Sequence, residues 1–140
     1  MQFCRSRVDE DGFVRGKEDD WVFIDWTPTD KVGALCAEQV LFAKALECYA
    51  DLCHVIDQDD EGCRAQAECL KKNIWDKFYD REMGVFVDSY ESGRQVVTRQ
   101  SNILAYLFLT EDSKVRADIY EKVILNDEVR QISTPYFKFY

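Results

Sequence analysis

The sequence has one histidine, two prolines and no apolar run longer than the seven residues from Ile103 to Leu109. A membrane-spanning helix needs about 20 apolar residues, so this run is too short to span a bilayer. Basic residues are also scarce, with 18 Lys and Arg against 27 Asp and Glu, and they form no patch. A net charge of −9 argues against a nucleic-acid partner. We therefore predict one globular domain over residues 1–140, with neither a membrane nor a nucleic acid as partner.

Metal and cofactor motifs are missing as well. The six cysteines form no CxxC pair, and His54 has no second ligand at helical spacing, so we expect no metal and no cofactor. The cysteines are predicted to be buried, reduced thiols that pack as small apolar groups, with a disulfide between neighbouring helices as the alternative. The residues from Met1 to Arg7 lack the apolar core of a signal peptide. Reduced thiols favour the cytoplasm weakly, and a periplasmic or secreted parent protein remains open.

Apolar periodicity predicts helices over residues 31–57, 61–79, 98–109 and 114–125. The predicted N-caps are Thr29 or Asp30 for the first helix, Asp59-Asp60 for the second and Ser113 for the fourth. A strand is predicted at residues 83–87, and a further helix begins after Ser133 and Thr134 with Pro135 at its first position. The first and third helices are apolar around most of their circumference, whereas the second and fourth carry one narrow apolar stripe. This alternation indicates inner and outer helices of an α/α barrel or a helical-hairpin solenoid.

A faint internal repeat supports the same architecture. Residues 9–14 (DEDGFV) precede the first broadly apolar helix, and residues 80–87 (DREMGVFV) precede the second. Each unit would contain an acidic turn, a glycine, a short strand, an inner helix and an outer helix. Such a repeat predicts stacked helical hairpins.

Four short motifs occur in a consistent order along residues 12–140 and together resemble a known family. They are Trp21-Val22-Phe23-Ile24-Asp25-Trp26, Ala37-Glu38-Gln39, Gln100-Ser101-Asn102 and Thr134-Pro135-Tyr136-Phe137-Lys138-Phe139-Tyr140. The set resembles the α-L-rhamnosidase family of six-hairpin glycoside hydrolases. The resemblance implies an all-α fold, namely a partial (α/α)6 toroid built of helical hairpins with short β-hairpin insertions. It also implies hydrolysis of terminal α-L-rhamnose with inversion, by two carboxyl groups that flank the scissile bond.

The sequence departs from that family in one respect that matters for function. A complete toroid needs more helices than the pattern predicts, and no segment matches the motifs that carry the family's two catalytic glutamates. We therefore expect a central fragment of a catalytic domain, inactive alone, whose partner is a rhamnose-containing carbohydrate. Inner helices without neighbours would expose apolar surface, which predicts a homo-oligomer through the inner-helix face.

The resemblance also assigns candidate site residues at the sugar-binding end of the toroid. Asp25 would accept hydrogen bonds from rhamnose hydroxyls and Trp26 would stack on the ring, although a turn carboxylate and a core tryptophan explain the same residues. Gln100 and Tyr136 would face the same opening, with helix capping or packing as the alternative. Glu38 is the best internal acid for catalysis, although such a residue more often forms an ion pair with a neighbour such as Lys31 or Arg99.

Two other functions remain open. One is a non-catalytic α-helical interaction module that binds a partner through its apolar inner surface. The other is a related six-hairpin enzyme for another sugar, such as a glucuronyl hydrolase or a trehalase-like glucosidase. A basic residue beside Asp25 would indicate an acidic sugar, and none occurs between Trp21 and Thr29.

Overall fold

The computed structural model describes residues 2–15 and 23–140, and it is mostly helical. The elements in chain order are α1 (Gln2–Arg5), α2 (Cys36–Val55), α3 (Cys63–Phe78), β1 (Tyr79–Asp80), β2 (Val85–Phe86), α4 (Arg99–Phe108) and α5 (Ser113–Ile119). A π-helical turn (Tyr120–Ile124) continues α5, and a 3-10 turn (Phe137–Phe139) lies near the C-terminus. The predicted mostly helical fold with a short β-hairpin is therefore confirmed. None of the described helices is long and apolar enough to cross a bilayer.

The long helix α2 begins five residues later than its apolar pattern predicts. Asp30 does not cap it, because its carboxylate instead accepts hydrogen bonds from the Val32 backbone N–H and from Arg94. Gly33 adopts a φ of 68°, which ends any helical path before Cys36. The Cys36 N–H then donates to the Asp88 carbonyl at 2.9 Å, so a tertiary contact replaces the expected side-chain cap.

The two outer helices follow their predicted stripes closely. The buried residues of α3 are Cys63, Ala67, Leu70, Ile74 and Phe78, and those of α5 and its π-turn are Val115, Ile119 and Val123. Asp112, not Ser113, caps α5, because its carboxylate accepts from the Lys114 and Val115 N–H groups. The acidic turn before α3 also caps its helix, with Asp60 accepting from Gly62 and Arg64.

The internal repeat in the sequence corresponds to a hydrogen-bonded contact that occurs in both units of the structure. In the first unit, the Gln39 side chain accepts from the Val14 N–H at 2.8 Å and donates to the Val14 carbonyl at 3.0 Å. In the second unit, Asn102 does the same to Phe86, at 2.9 and 2.8 Å. Each amide is the fourth residue of its inner helix, and each clamped residue lies two positions after a left-handed glycine, Gly12 or Gly84. We call these two contacts the amide clamps.

One hydrophobic core joins the elements, with α2 packed against both α3 and α4. The prediction that α2 is buried on more than one side is wrong at its C-terminal end, where Leu52, Val55 and Ile56 are exposed. The prediction for the cysteines is partly wrong. Cys36, Cys53 and Cys63 are buried, Cys4 is half-buried, and Cys48 and Cys69 are exposed, all as free thiols.

Candidate functional site

Asp25 is the centre of a hydrogen-bond network that joins three segments of the chain. Its Oδ2 accepts from Gln100 Nε2 at 2.8 Å, and its Oδ1 accepts from Thr134 Oγ1 at 2.6 Å and from the Trp26 N–H at 2.8 Å. Asp25 is only 3% exposed. These contacts fix the loop before α2 against the start of α4 and against the C-terminal segment. Through them, Asp25 positions the backbone of its neighbour Trp26.

Trp26 is the exposed wall of an open groove. Its residue surface is 70% exposed, and its ring meets that of Phe23 edge-on with centroids 5.3 Å apart. The groove has a volume of about 490 Å³ and is lined by Phe23, Asp25, Trp26, Thr27, Pro28, Lys31 and Arg130. The alternative that Trp26 fills the core is therefore wrong. An indole face beside polar groups suits a sugar ring, which presents apolar C–H groups on one face and hydroxyls at its edge.

The first turn of α4 is joined to this groove by the hydrogen bond from Gln100 to Asp25. This turn consists entirely of buried polar residues, Arg99, Gln100, Ser101 and Asn102. Gln100 is 1% exposed and holds Asp25, while its Oε1 has no hydrogen-bond partner. The other buried side-chain atoms without a partner in the described parts of the chain are Thr29 Oγ1 and Arg99 Nε, on the adjoining loop and the same turn. The residues that carry these three buried atoms do not themselves line the groove.

Of the predicted site residues, only Asp25 and Trp26 line the groove, and Gln100 is joined to it through its hydrogen bond to Asp25. Tyr136 is 65% exposed on the C-terminal segment, two residues beyond the Asp25 partner Thr134. Glu38 is half-buried in the first turn of α2. Trp21 and Val22, the first residues of the predicted Asp25 motif, lie outside the described residues. The structure thus brings together Asp25, Trp26 and Gln100 only.

Two cationic side chains line the groove, and the sequence analysis assigned neither of them to a site. Lys31 and Arg130 accompany Asp25 and Trp26 along its rim. Lys31 lies two residues after Thr29 in the sequence, so its proximity to Asp25 is a local signal that could have identified it. Arg130 comes from the far end of the chain, and no local pattern signals its position.

A second buried carboxylate lies at the start of α2, away from the groove lining. Asp88 is fully buried and accepts from Thr98 Oγ1 at 2.7 Å and from Ser101 Oγ at 2.6 Å. Burial raises the pKa of the Asp88 carboxyl above its ordinary value, and these two hydroxyls oppose the rise. For the nearby Asp30, burial also acts upward, but hydrogen bonds from Ser92 and Arg94 outweigh it and lower the pKa.

No group of three His, Cys, Asp or Glu side chains in the described ranges is arranged to hold a metal ion. The polar groups at the groove are instead hydrogen-bond donors and acceptors beside aromatic rings. Such a set is typical of sites that orient a polar ligand.

Two solved structures share this arrangement of elements over nearly the whole chain. A GH78 family rhamnosidase of Bacillus sp. GL1 superposes with a TM-score of 0.83 at 22% sequence identity. A rhamnosidase from Klebsiella oxytoca, solved with rhamnose bound, superposes with a TM-score of 0.73 at 24% identity. Each match covers 99% of this chain. The chain has the fold of part of a rhamnosidase. The resemblance predicted from the sequence motifs is thereby confirmed at the level of the fold.

The match covers only a small share of those proteins. This chain spans 15% of the Bacillus chain and 26% of the Klebsiella chain. No protein-family model and no curated protein matches the sequence significantly.

Proposed function

We propose that the chain forms part of the (α/α)6 toroid of a rhamnosidase-like glycoside hydrolase and supplies a wall of its sugar-binding end. The observation that carries the proposal is the exposed indole of Trp26, held over the buried network of Asp25, Gln100 and Thr134. A side chain as apolar as tryptophan is costly to leave in water. The backbone of Trp26 is held by Asp25, and its ring meets that of Phe23. Its proposed ligand is a terminal α-L-rhamnose.

The contacts favour a binding role over a catalytic one. A general base must reach a water molecule and take up its proton. Asp25 is almost completely buried, and its two oxygens already accept three hydrogen bonds. Glu38 lies apart from this groove on α2. We therefore propose that inverting hydrolysis needs a catalytic pair beyond the residues at this groove, and that the 140-residue chain alone does not hydrolyse rhamnosides.

The test is binding of methyl α-L-rhamnoside to the folded chain, followed by NMR titration, together with an assay on an aryl α-L-rhamnoside. We expect saturable binding and no turnover. Trp26→Ala should weaken binding about fivefold, the factor that corresponds to about 1 kcal/mol of lost apolar contact. Phe139→Ala is the matched control, because Phe139 is an exposed aromatic residue outside the groove. Equal loss in both variants, or turnover by the wild-type chain, would contradict the proposal.

One observation favours the second candidate, an interaction module. Five residues of α2 recur at alternating steps of four and three and are exposed or half-buried: Leu41, Ala45, Cys48, Leu52 and Val55. This spacing is that of a coiled-coil seam, which normally packs against another helix. We call it the α2 stripe. Within a toroid it would pack against a neighbouring inner helix, and in isolated chains it would drive self-association through the inner-helix face.

A further inference from the structure

Two buried cysteines lie at the end of the α2–α3 helix pair where the turn joins the two helices. Cys53 is in the last turn of α2 and Cys63 is the first residue of α3, and they are 5% and 0% exposed. The two helices pack against each other. Where packed helices face each other, their Cα atoms approach to about 3.5–5.5 Å, which overlaps the separation of about 4.4–6.8 Å that a disulfide spans. The fold therefore brings both thiols to the same end of one helix pair.

The electrostatic surroundings of the two thiols place them in one cluster. A hydrogen bond with the Cys53 thiol raises the pKa of the Tyr49 hydroxyl, and the Cys63 thiol acts in the same direction. Burial raises the pKa of the Cys63 thiol, the Arg5 guanidinium opposes this rise, and the Cys53 thiol adds to it. Each thiol thus lies within interaction range of the other and of Tyr49.

Arg5, the last residue of α1, holds Cys63 from the other side. Its Nη2 donates to Cys63 Sγ at 2.9 Å and to the Glu61 carbonyl at 3.0 Å. Its Nε donates to the Gln66 side chain at 3.2 Å. The guanidinium therefore fixes the first turn of α3 and presents positive charge to the Cys63 sulfur. A cation beside a thiol favours the thiolate, which is the reactive form in disulfide exchange.

The turn between the two helices combines a tight closure with a strained backbone. The Cys53 carbonyl accepts from the Gln58 N–H at 2.9 Å. Asp57 and Glu61 have φ angles of 54° and 51°, in the left-handed region that residues other than glycine rarely adopt. Both residues are exposed. A strained, exposed turn opens more readily than the helices beside it, and such opening gives a small oxidant access to the buried thiols.

We propose that Cys53 and Cys63 are a redox modification site, where a small disulfide such as oxidised glutathione joins them in a reversible disulfide. Cys53, the less buried of the two, loses its proton and attacks one sulfur of the glutathione disulfide, which releases one glutathione. Cys63 then loses its proton and attacks the Cys53 sulfur of the mixed disulfide, which releases the second glutathione. The two protein thiols are oxidised, and one glutathione disulfide is reduced to two glutathione molecules that take up the two protons. The free thiols of this structure are the reduced form.

The experiment equilibrates the folded chain in glutathione redox buffers, blocks the remaining thiols with iodoacetamide and measures the mass of the protein. Oxidation at this site removes two of the six free thiols, so that four are alkylated. A protease that cleaves before aspartate separates the two cysteines at Asp57, Asp59 or Asp60, so only the disulfide then joins their peptides. We expect the disulfide to form about thirtyfold more favourably in the folded chain than in urea, the factor for the lower end of disulfide stabilisation. Oxidation should accordingly raise the urea midpoint by about 1 M.

Four variants separate this pair from the other cysteines. Cys53→Ala and Cys63→Ala should each leave all five remaining thiols open to alkylation. Cys4→Ala, at the half-buried neighbour of Arg5, and Cys69→Ala, at an exposed position on α3, should both keep the disulfide.

The wild-type chain decides the matter even if a buried variant fails to fold. Six alkylated thiols after equilibration of the folded chain, or a disulfide that joins any other pair, would overturn the proposal. Equal formation in the folded chain and in urea would also overturn it, because the fold would then not bring the two thiols together. None of these results bears on rhamnose binding.

Discussion

The amide clamps give the sharpest prediction for stability. Replacing Asn102 with alanine removes both partners of the fully buried Phe86 backbone, its N–H acceptor and its carbonyl donor. Each buried backbone group left unpaired costs about 1–3 kcal/mol. We expect Asn102→Ala to lower the free energy of unfolding by about 3 kcal/mol. Gln39→Ala should have a similar effect through the buried Val14.

Urea denaturation followed by far-ultraviolet circular dichroism measures this loss. With an m-value of about 1.5–2 kcal/mol/M, 3 kcal/mol lowers the midpoint by about 1.5–2 M. Asn73→Ala is the control, because Asn73 is half-buried and its side chain donates to the Asp11 carbonyl, its one hydrogen bond within the described residues. We expect it to cost about 1 kcal/mol or less. If the Asn102 and Gln39 variants cost no more than the Asn73 variant, the clamps do not stabilise the fold and our reasoning fails.

Two further predictions concern protonation and association. The pKa of Asp88 is raised in the folded state. Its contribution to the free energy of unfolding should therefore be fully present below about pH 3.9, the ordinary pKa of aspartate. This contribution should decrease as the pH rises through the folded-state pKa. The difference in unfolding free energy between the wild type and Asp88→Asn should follow that decrease in urea titrations from pH 4 to 7, and a pH-independent difference would contradict it. Leu52→Glu in the α2 stripe should shift sedimentation of the chain towards monomer. Leu125→Glu, at an exposed leucine outside the stripe, should leave sedimentation unchanged. A wild-type chain that is monomeric at micromolar concentration would contradict self-association.

Much of the fold was predictable because its signal is local. The stripes of α3 and α5 follow the 3.6-residue period, and burial at Leu70, Ile74 and Ile119 matches it. The repeat also left a trace in sequence, through Gly12 and Gly84. The clamps themselves were missed, since glutamine and asparagine on an apolar helix give no indication of which backbone they bind.

The start of α2 was mispredicted because a contact between distant parts of the chain overrides the local capping signal. Asp30 before a long apolar pattern is typical of a helix cap, and sequence rules select it. In the structure, its carboxylate is engaged by Arg94 and by the turn at Val32, and the backbone of Asp88 receives the helix N-terminus instead. These partners lie about 60 residues away or in a turn that only tertiary packing defines.

The candidate site was predictable only in part. The resemblance in sequence selected Asp25, Trp26 and Gln100, and the structure joins them in one network. Sequence could not assign Arg130, because its place at the groove depends on how the C-terminal segment folds back. The sequence also could not distinguish an exposed Trp26 from a buried one, since the same neighbouring residues are compatible with both positions.

The buried polar turn that opens α4 has a consequence for how this protein can vary. Elsewhere in the core, leucine, isoleucine and valine can replace one another at modest cost when total volume is conserved. At Gln100 and Asn102 no such exchange exists, because Glu or Asp would turn a donor into an acceptor, and an apolar residue would leave the partner unpaired. Substitutions should therefore accumulate readily along the apolar stripes and only rarely in this one turn. The proposed sugar-binding end would then keep its shape while the rest of the sequence diverges.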